Sequence, residues 1–101
     1  MPTINPNIAV LEFRPGPGGE ESSLWMDDLM RMYGRYATKV GWKTSQIDTN
    51  IIKISGIGAF DQLQWETGTH RVQRIPVTEK HGRIHTSTAA IVVLPQITSS
   101  D

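Results

Sequence analysis

Residues Arg14 to Glu21 read Arg-Pro-Gly-Pro-Gly-Gly-Glu-Glu, and no other stretch limits the fold so sharply. Two prolines and three glycines in eight residues end whatever element precedes them. Proline lacks the N–H a ladder needs, and glycine lets the backbone turn tightly and lie close to a neighbour. Before this break, Asn7 to Phe13 (NIAVLEF) is a compact apolar run bounded by turn formers, read as a buried strand. After it, Ser22 to Val40 takes a helical period. Leu29, Met32, Tyr33, Tyr36, Ala37 and Val40 recur at three- and four-residue steps, with Asp27, Asp28, Arg31, Arg35 and Lys39 between them. Acids lie early (Glu20, Glu21, Asp27, Asp28) and bases late (Arg35, Lys39), which suits the helix dipole, and Gly41 supplies a stop. Gly34 in the interior costs about 1 kcal/mol against alanine unless close packing requires it. Met26, Met30 and Met32 read as packing residues.

Beyond the helix the sequence predicts short strands. Trp42 to Asp48 alternates weakly, Thr49-Asn50 is a turn, and Ile51 to Ser55 alternates again. Gly56-Ile-Gly58 breaks the chain, Ala59 to Gln62 forms a short helical turn, and Leu63 to Thr67 and His70 to Ile75 are strands. The last strand, Thr86 to Leu94, puts Ala89, Ile91 and Val93 on one face and ends at Pro95. The expected class is α+β, one long helix packed on a mostly antiparallel sheet in a single small domain. Residues 1–7 are expected as a flexible lead-in, 8–95 as the domain and 96–101 as a polar tail.

Charge is where the sequence becomes specific. Ten basic and ten acidic residues cancel over 101 positions, so tight non-specific binding to nucleic acid is not expected. Yet Gly68 to Thr88 gathers Arg71, Arg74, Lys80 and Arg83 around one acid, Glu79, and adds His70, His81 and His85. Gln73, Thr78, Thr86, Ser87 and Thr88 add short hydrogen-bonding groups, and Pro76 a rigid corner. Guanidinium forks, imidazoles and hydroxyls are what reads unstacked RNA bases and holds their phosphates; the plain alternative is a solvated strand–loop–strand. Gly18 and Gly19, ahead of the helix, either expose free amides to an anion or carbonyl, or form a turn capped by Ser22 or Ser23.

Other chemistries are not expected. There is no cysteine, hence no disulfide, thiolate nucleophile or cysteine zinc site. No serine sits in a G-x-S-x-G elbow, and no Gly-Lys-Ser/Thr closes the glycine-rich stretch. His81 and His85 share a face only in a helix, which Gly82 opposes, so no metal and no cofactor is expected. The first residues lack the basic and apolar regions of a secretory signal, and no run is long enough for a membrane span. The expected location is the cytoplasm or an organellar matrix.

Four segments together, Arg14–Glu21, Asp28-Leu-Met-Arg-Met-Tyr33, His70-Arg-Val-Gln-Arg-Ile-Pro-Val-Thr78 and Gly82-Arg-Ile-His-Thr-Ser87, resemble class I peptide chain release factors of bacterial and organellar type. The resemblance runs from about Ile8 to Pro95 and covers the family's codon-recognition domain. Pro76-Val77-Thr78 is similar to the Pro-x-Thr form of the release factor 1 type, which reads UAA and UAG, rather than the Ser-Pro-Phe of the type that reads UAA and UGA. The resemblance implies that Gly18 and Glu21 meet the first uracil and that Thr78, held by Pro76 and Val77, bonds the first two bases. It implies that His85 stacks on the second base, that Ile84 wedges between the second and third, and that Gln73 and Thr86 bond the third purine. Arg71, Arg74 and Arg83 are ribosomal-RNA contacts or internal struts.

Some features depart from that pattern. No Gly-Gly-Gln occurs in the sequence, the Ile47–Ile51 connection is short, and Lys80-His81 replaces a pair expected to be uncharged. The expectation is a monomeric module that recognises UAA and UAG on mRNA in the decoding centre of the small ribosomal subunit. It would contain no catalytic residue and would not promote peptidyl-tRNA hydrolysis. The alternative is a ribosome- or RNA-binding regulatory mini-factor without codon selectivity.

Overall fold

In a computed structural model that describes residues 2–99, with side chains from 3 to 96, the Arg14–Glu21 break separates strand from helix as expected. Strand β1 (Pro2–Pro15) leads to helix α1 (Glu20–Lys39), then β2 (Lys43–Asp48), β3 (Ile51–Ser55), a second helix α2 (Ala59–Leu63), β4 (Gly68–Arg74) and β5 (His85–Ser99). The five strands form one antiparallel sheet in the order β2-β3-β1-β5-β4.

Strand alternation sends Ala9, Leu11, Phe13, Ile52, Ile54, Ala89, Ile91 and Val93 to one face, all buried. Met26, Leu29, Tyr33 and Ala37 of α1 and Ala59 and Leu63 of α2 close over that face. Each large side chain wholly withdrawn from water there contributes about 1.5–3 kcal/mol. The Phe13 and Tyr33 rings meet at 5.9 Å in a tilted contact that pins the helix to the centre of the sheet.

The helix buries a narrower stripe than its apolar period predicts. Met32, Tyr36 and Val40 are exposed, because the helix turns Ser22, Met26, Leu29, Tyr33 and Ala37 to the sheet instead. Ser22 tolerates complete burial because its Oγ donates to the Pro17 carbonyl at 2.8 Å. At the other end Gly41, at φ 84°, takes the left-handed conformation that ends a helix, and Trp42 N donates to Ala37 O at 2.7 Å.

Three further expectations change. A second helix stands beside the long one, and Leu63 to Thr67 is not a strand: α2 ends at Leu63 and Gln64–Glu66 is a 3-10 turn. Long-range bonds fix that segment. Tyr33 OH donates to Glu66 Oε1 at 2.9 Å, and Val93 N donates to Thr67 Oγ1 at 3.0 Å. Burial, then the Glu66 carboxylate, raises the Tyr33 phenol above its ordinary range. Finally, Pro95 does not end β5. The strand continues to Ser99, and Pro2–Asn5 of the expected lead-in pair with Gln96–Ser99 of the expected tail. Proline is tolerated there because β4 stops opposite Ile91 and the β1 register shifts between Asn5 and Ala9, so Pro95 sits at an edge beside an irregularity.

Candidate nucleic-acid interface

The antiparallel register of β4 and β5 places Arg74 opposite His85, Gln73 opposite Thr86 and Val72 opposite Ser87. Ser87 is buried with the core face, so His85 and Arg74 lie on the helix side of the sheet, and Gln73, Thr86 and Arg71 on its open side. The expected base-reading residues are therefore divided between two faces at one end of β5. The loop from Ile75 to Ile84 joins the strands. Pro76 is buried and fixes it, while Val77 is 92% exposed and Ile84 70% exposed.

The loop is tied to the start of α1 by one direct bond: Thr78 Oγ1 donates to Glu21 Oε1 at 2.9 Å. Hydrogen bonds from its own backbone N–H and from Thr78 hold the Glu21 carboxyl below the usual carboxylate range. Gly19 is the N-cap with φ 63°, no side chain caps the helix, and neither Ser22 nor Ser23 takes that role. Gly18, at φ 128°, is exposed beside it. Glycine is needed at Gly16, whose N–H donates to Thr88 O at 2.8 Å; a Cβ there would stand 2.8 Å from the same carbonyl oxygen and nearer still to the Thr88 hydroxyl. The glycine-rich turn thus lies flat against β5 and delivers the helix start to Thr78.

Within the loop the organising group is Glu79, which the sequence shows only as the one acid of a basic stretch. Its side chain is 3% exposed. It accepts from His81 N, from Arg83 N at 3.2 Å, from Arg83 Nε at 3.3 Å and from His85 Nε2 at 2.8 Å. Burial raises its pKa, but the bonds from Arg83 N, His85 and His81 N and the Arg83 charge outweigh it, leaving the carboxyl at about 2. A lone acid followed at two, four and six residues by donors around Gly82 was a signal for this closed loop.

The three arginines differ. Arg74 Nη1 donates to Asp28 Oδ2 at 2.7 Å, and its guanidinium lies 5.5 Å from the Trp25 ring centroid. Asp28 also pairs with Arg31. Burial raises the Asp28 carboxyl, and the bonds and charges of Arg74 and Arg31 bring it below its ordinary value. Trp25 in turn donates from Nε1 to His70 O at 3.1 Å, so Arg74 braces the helix against β4. Arg83 is tied to Glu79 but 70% exposed, and Arg71 is exposed on the open face. His70 Nε2 donates to Glu66 O at 2.8 Å, His81 is exposed, and His85 is bound to Glu79, so the three imidazoles do not converge. Among the described residues no cluster of three or more His, Cys, Asp or Glu could hold a metal ion. No helix among them is long and apolar enough to cross a membrane.

A family model described as the PCRF domain matches residues 3–91. A peptide chain release factor 1 of Aquifex aeolicus is 49% identical over 102 residues, covering 91% of this chain and 28% of that relative. One of Syntrophomonas wolfei is 50% identical over 97 residues, covering 86% of this chain and 27% of its own length. The solved structure of RF2 of Thermus thermophilus superposes with a TM-score of 0.83 at 33% identity, over 88% of this chain and 28% of that one. The chain thus spans little more than a quarter of the length of these relatives.

Proposed function

The chain belongs to the PCRF domain family of class I peptide chain release factors, with a domain of release factor 1 type, and on that footing we propose that it acts in translation termination by recognising UAA and UAG in the decoding centre of the small ribosomal subunit. The observation that carries this reading is the bond from Thr78 Oγ1 to Glu21 Oε1. A threonine hydroxyl has one hydrogen, and here the carboxylate takes it. The remaining lone pairs of Thr78 then accept, which suits the amino group of a second-position adenine. Guanine offers a carbonyl oxygen at the same place, so two acceptors would face each other, at a cost of about 1–3 kcal/mol. UGA is refused on that account.

The division of side chains between two faces supports the same reading. His85 on the helix side takes the stack on the second base, and Thr86, one residue on, points to the opposite face with Gln73 beside it. A third base bonded by Gln73 and Thr86 cannot remain stacked on the second, and exposed Ile84 fills the gap between them. Amide and hydroxyl each both donate and accept, so adenine and guanine are both admitted there. Gly18 and the first turn of α1 meet the uracil, and Pro76 and Val77 hold the loop. We assign no catalytic residue: these groups bind and select. Zero net charge makes the isolated chain's binding weak, and contacts from local arginines to phosphates make it salt-sensitive; we assign it a monomeric state.

The test is photocrosslinking to ribosomes carrying a reactive uridine at the first position of the A-site codon, which captures weak complexes. Adducts are expected on UAA and UAG, not on UGA or the sense codon UGG, and Thr78→Ala is expected to lose them. Equal adducts on all four codons would refute codon reading and leave a ribosome-binding fold.

A further inference from the structure

The Glu79–His85 contact carries a consequence that the codon-reading residues alone do not. Resting on the reading just given, we propose that Glu79 is a positioning residue for codon recognition: its carboxylate holds the His85 ring with a proton on Nε2 and in one plane, ready for the second base to stack on it. An ionised carboxylate has no hydrogen to give, so the 2.8 Å contact with His85 Nε2 requires the proton to be on Nε2. Neutral His85 is therefore the Nε2–H tautomer with Nδ1 left as an acceptor, and among the described residues nothing bonds Nδ1.

Glu79 is itself immobilised. Its side chain is 3% exposed, and both of its oxygens accept from the loop, one from His81 N and Arg83 N, the other from Arg83 Nε and His85. Glu79 N donates to Pro76 O at 3.0 Å, which fixes the backbone that carries the carboxylate. A ring held at one nitrogen by an immobilised acceptor loses a hydrogen bond when it flips or turns about its side-chain bonds, so one orientation is favoured. Stacking on such a ring loses less entropy than stacking on a free one. The His85 side chain keeps 35% of its surface exposed, which leaves room for a base to stack.

The experiment uses the whole 101-residue chain. Long-range ¹H–¹⁵N correlation spectra of wild type at alkaline pH are expected to show His85 protonated at Nε2 and bare at Nδ1. A wild-type Nδ1–H tautomer overturns the proposal without any variant. E79Q puts an amide among the donors and is expected to give mixed tautomers. In the crosslinking assay on UAA, E79Q should raise the half-saturating concentration about tenfold or more, the loss expected of a charge-assisted hydrogen bond. H85F keeps a stacking ring but cannot bond Glu79, so E79Q in that background should change the value less than about threefold. An equal loss in both backgrounds means that Glu79 acts only through the loop backbone, and the proposal fails. If E79Q matches wild type while codon selectivity persists, the proposal alone fails; if wild type shows no selectivity, the codon-reading premise fails first.

Discussion

Arg74 is the basic residue whose role the structure assigns most firmly, as a brace, and the assignment can be measured. Replacing it by alanine removes the 2.7 Å bond to Asp28 and the guanidinium over Trp25. A cation over an aromatic ring contributes about 0.5–2 kcal/mol, rising as water is excluded, and a partly exposed ion pair about 0.2–1 kcal/mol. Both partners here are near the middle of that range, with side chains 34% and 33% exposed. Against this, Arg74 Nε is buried with no hydrogen-bond partner, a cost that the substitution relieves. The net loss is about 1–2 kcal/mol. For a domain of this size each kcal/mol moves the melting temperature by about 4–8 °C, so Arg74→Ala should melt visibly early in a circular-dichroism scan. The dependence of ribosome binding on salt should keep its wild-type slope. Arg71→Ala should do the opposite: stability within about 0.5 kcal/mol of wild type, and a salt slope shallower by about one phosphate contact. If Arg74→Ala melts with wild type and flattens the salt slope, the brace is refuted and Arg74 touches RNA.

Other outcomes follow from single positions. Nothing lies within 4 Å of the space a Cβ would occupy at Gly34, so no packing requires glycine, and Gly34→Ala should stabilise the helix by about 1 kcal/mol, read as a higher melting temperature. Acid sensitivity should centre on Glu79. Its carboxyl is at about 2 in the fold against an ordinary 4.5, so between those values the unfolded chain binds more protons than the folded one. The stability from this group is complete above about pH 4.5 and is lost as pH falls through 2. Urea midpoints should decline across that window in wild type and less steeply in E79Q, and parallel curves would contradict the assignment.

Much of this was legible in the sequence where the signal is local. The glycine-proline break, the helix after it and Ile51–Ser55 depend on backbone chemistry within a few residues, and each lies where the pattern puts it. The helix face was ambiguous because Met32, Tyr36 and Val40 form a second apolar stripe beside the one the sheet selects, and Ser22 looked polar until Pro17 satisfied it. Leu63–Thr67 alternates over too few residues to separate strand from helix; bonds to Tyr33 and Val93, far away in sequence, decide it. The residues proposed to read bases were named through a family likeness and not from the pattern alone. Glu79 was not, because two of its four bonds are to backbone amides that converge only after the loop closes.

The ribbon of β1 and β5 has a mechanical meaning. Pro15 and His85 stand at the loop end, while Pro2 and Ser99 stand together at the other, in a body 59 Å long and only 26 by 22 Å across. Two strands pair between those ends, with the β1 register shifting once between Asn5 and Ala9. The loop after β4 and the paired outer ends of β1 and β5 thus lie at opposite ends of an elongated body. A body of this length that turns about its loop end moves its other end farthest, so any such rotation gives its largest displacement where Pro2 meets Ser99.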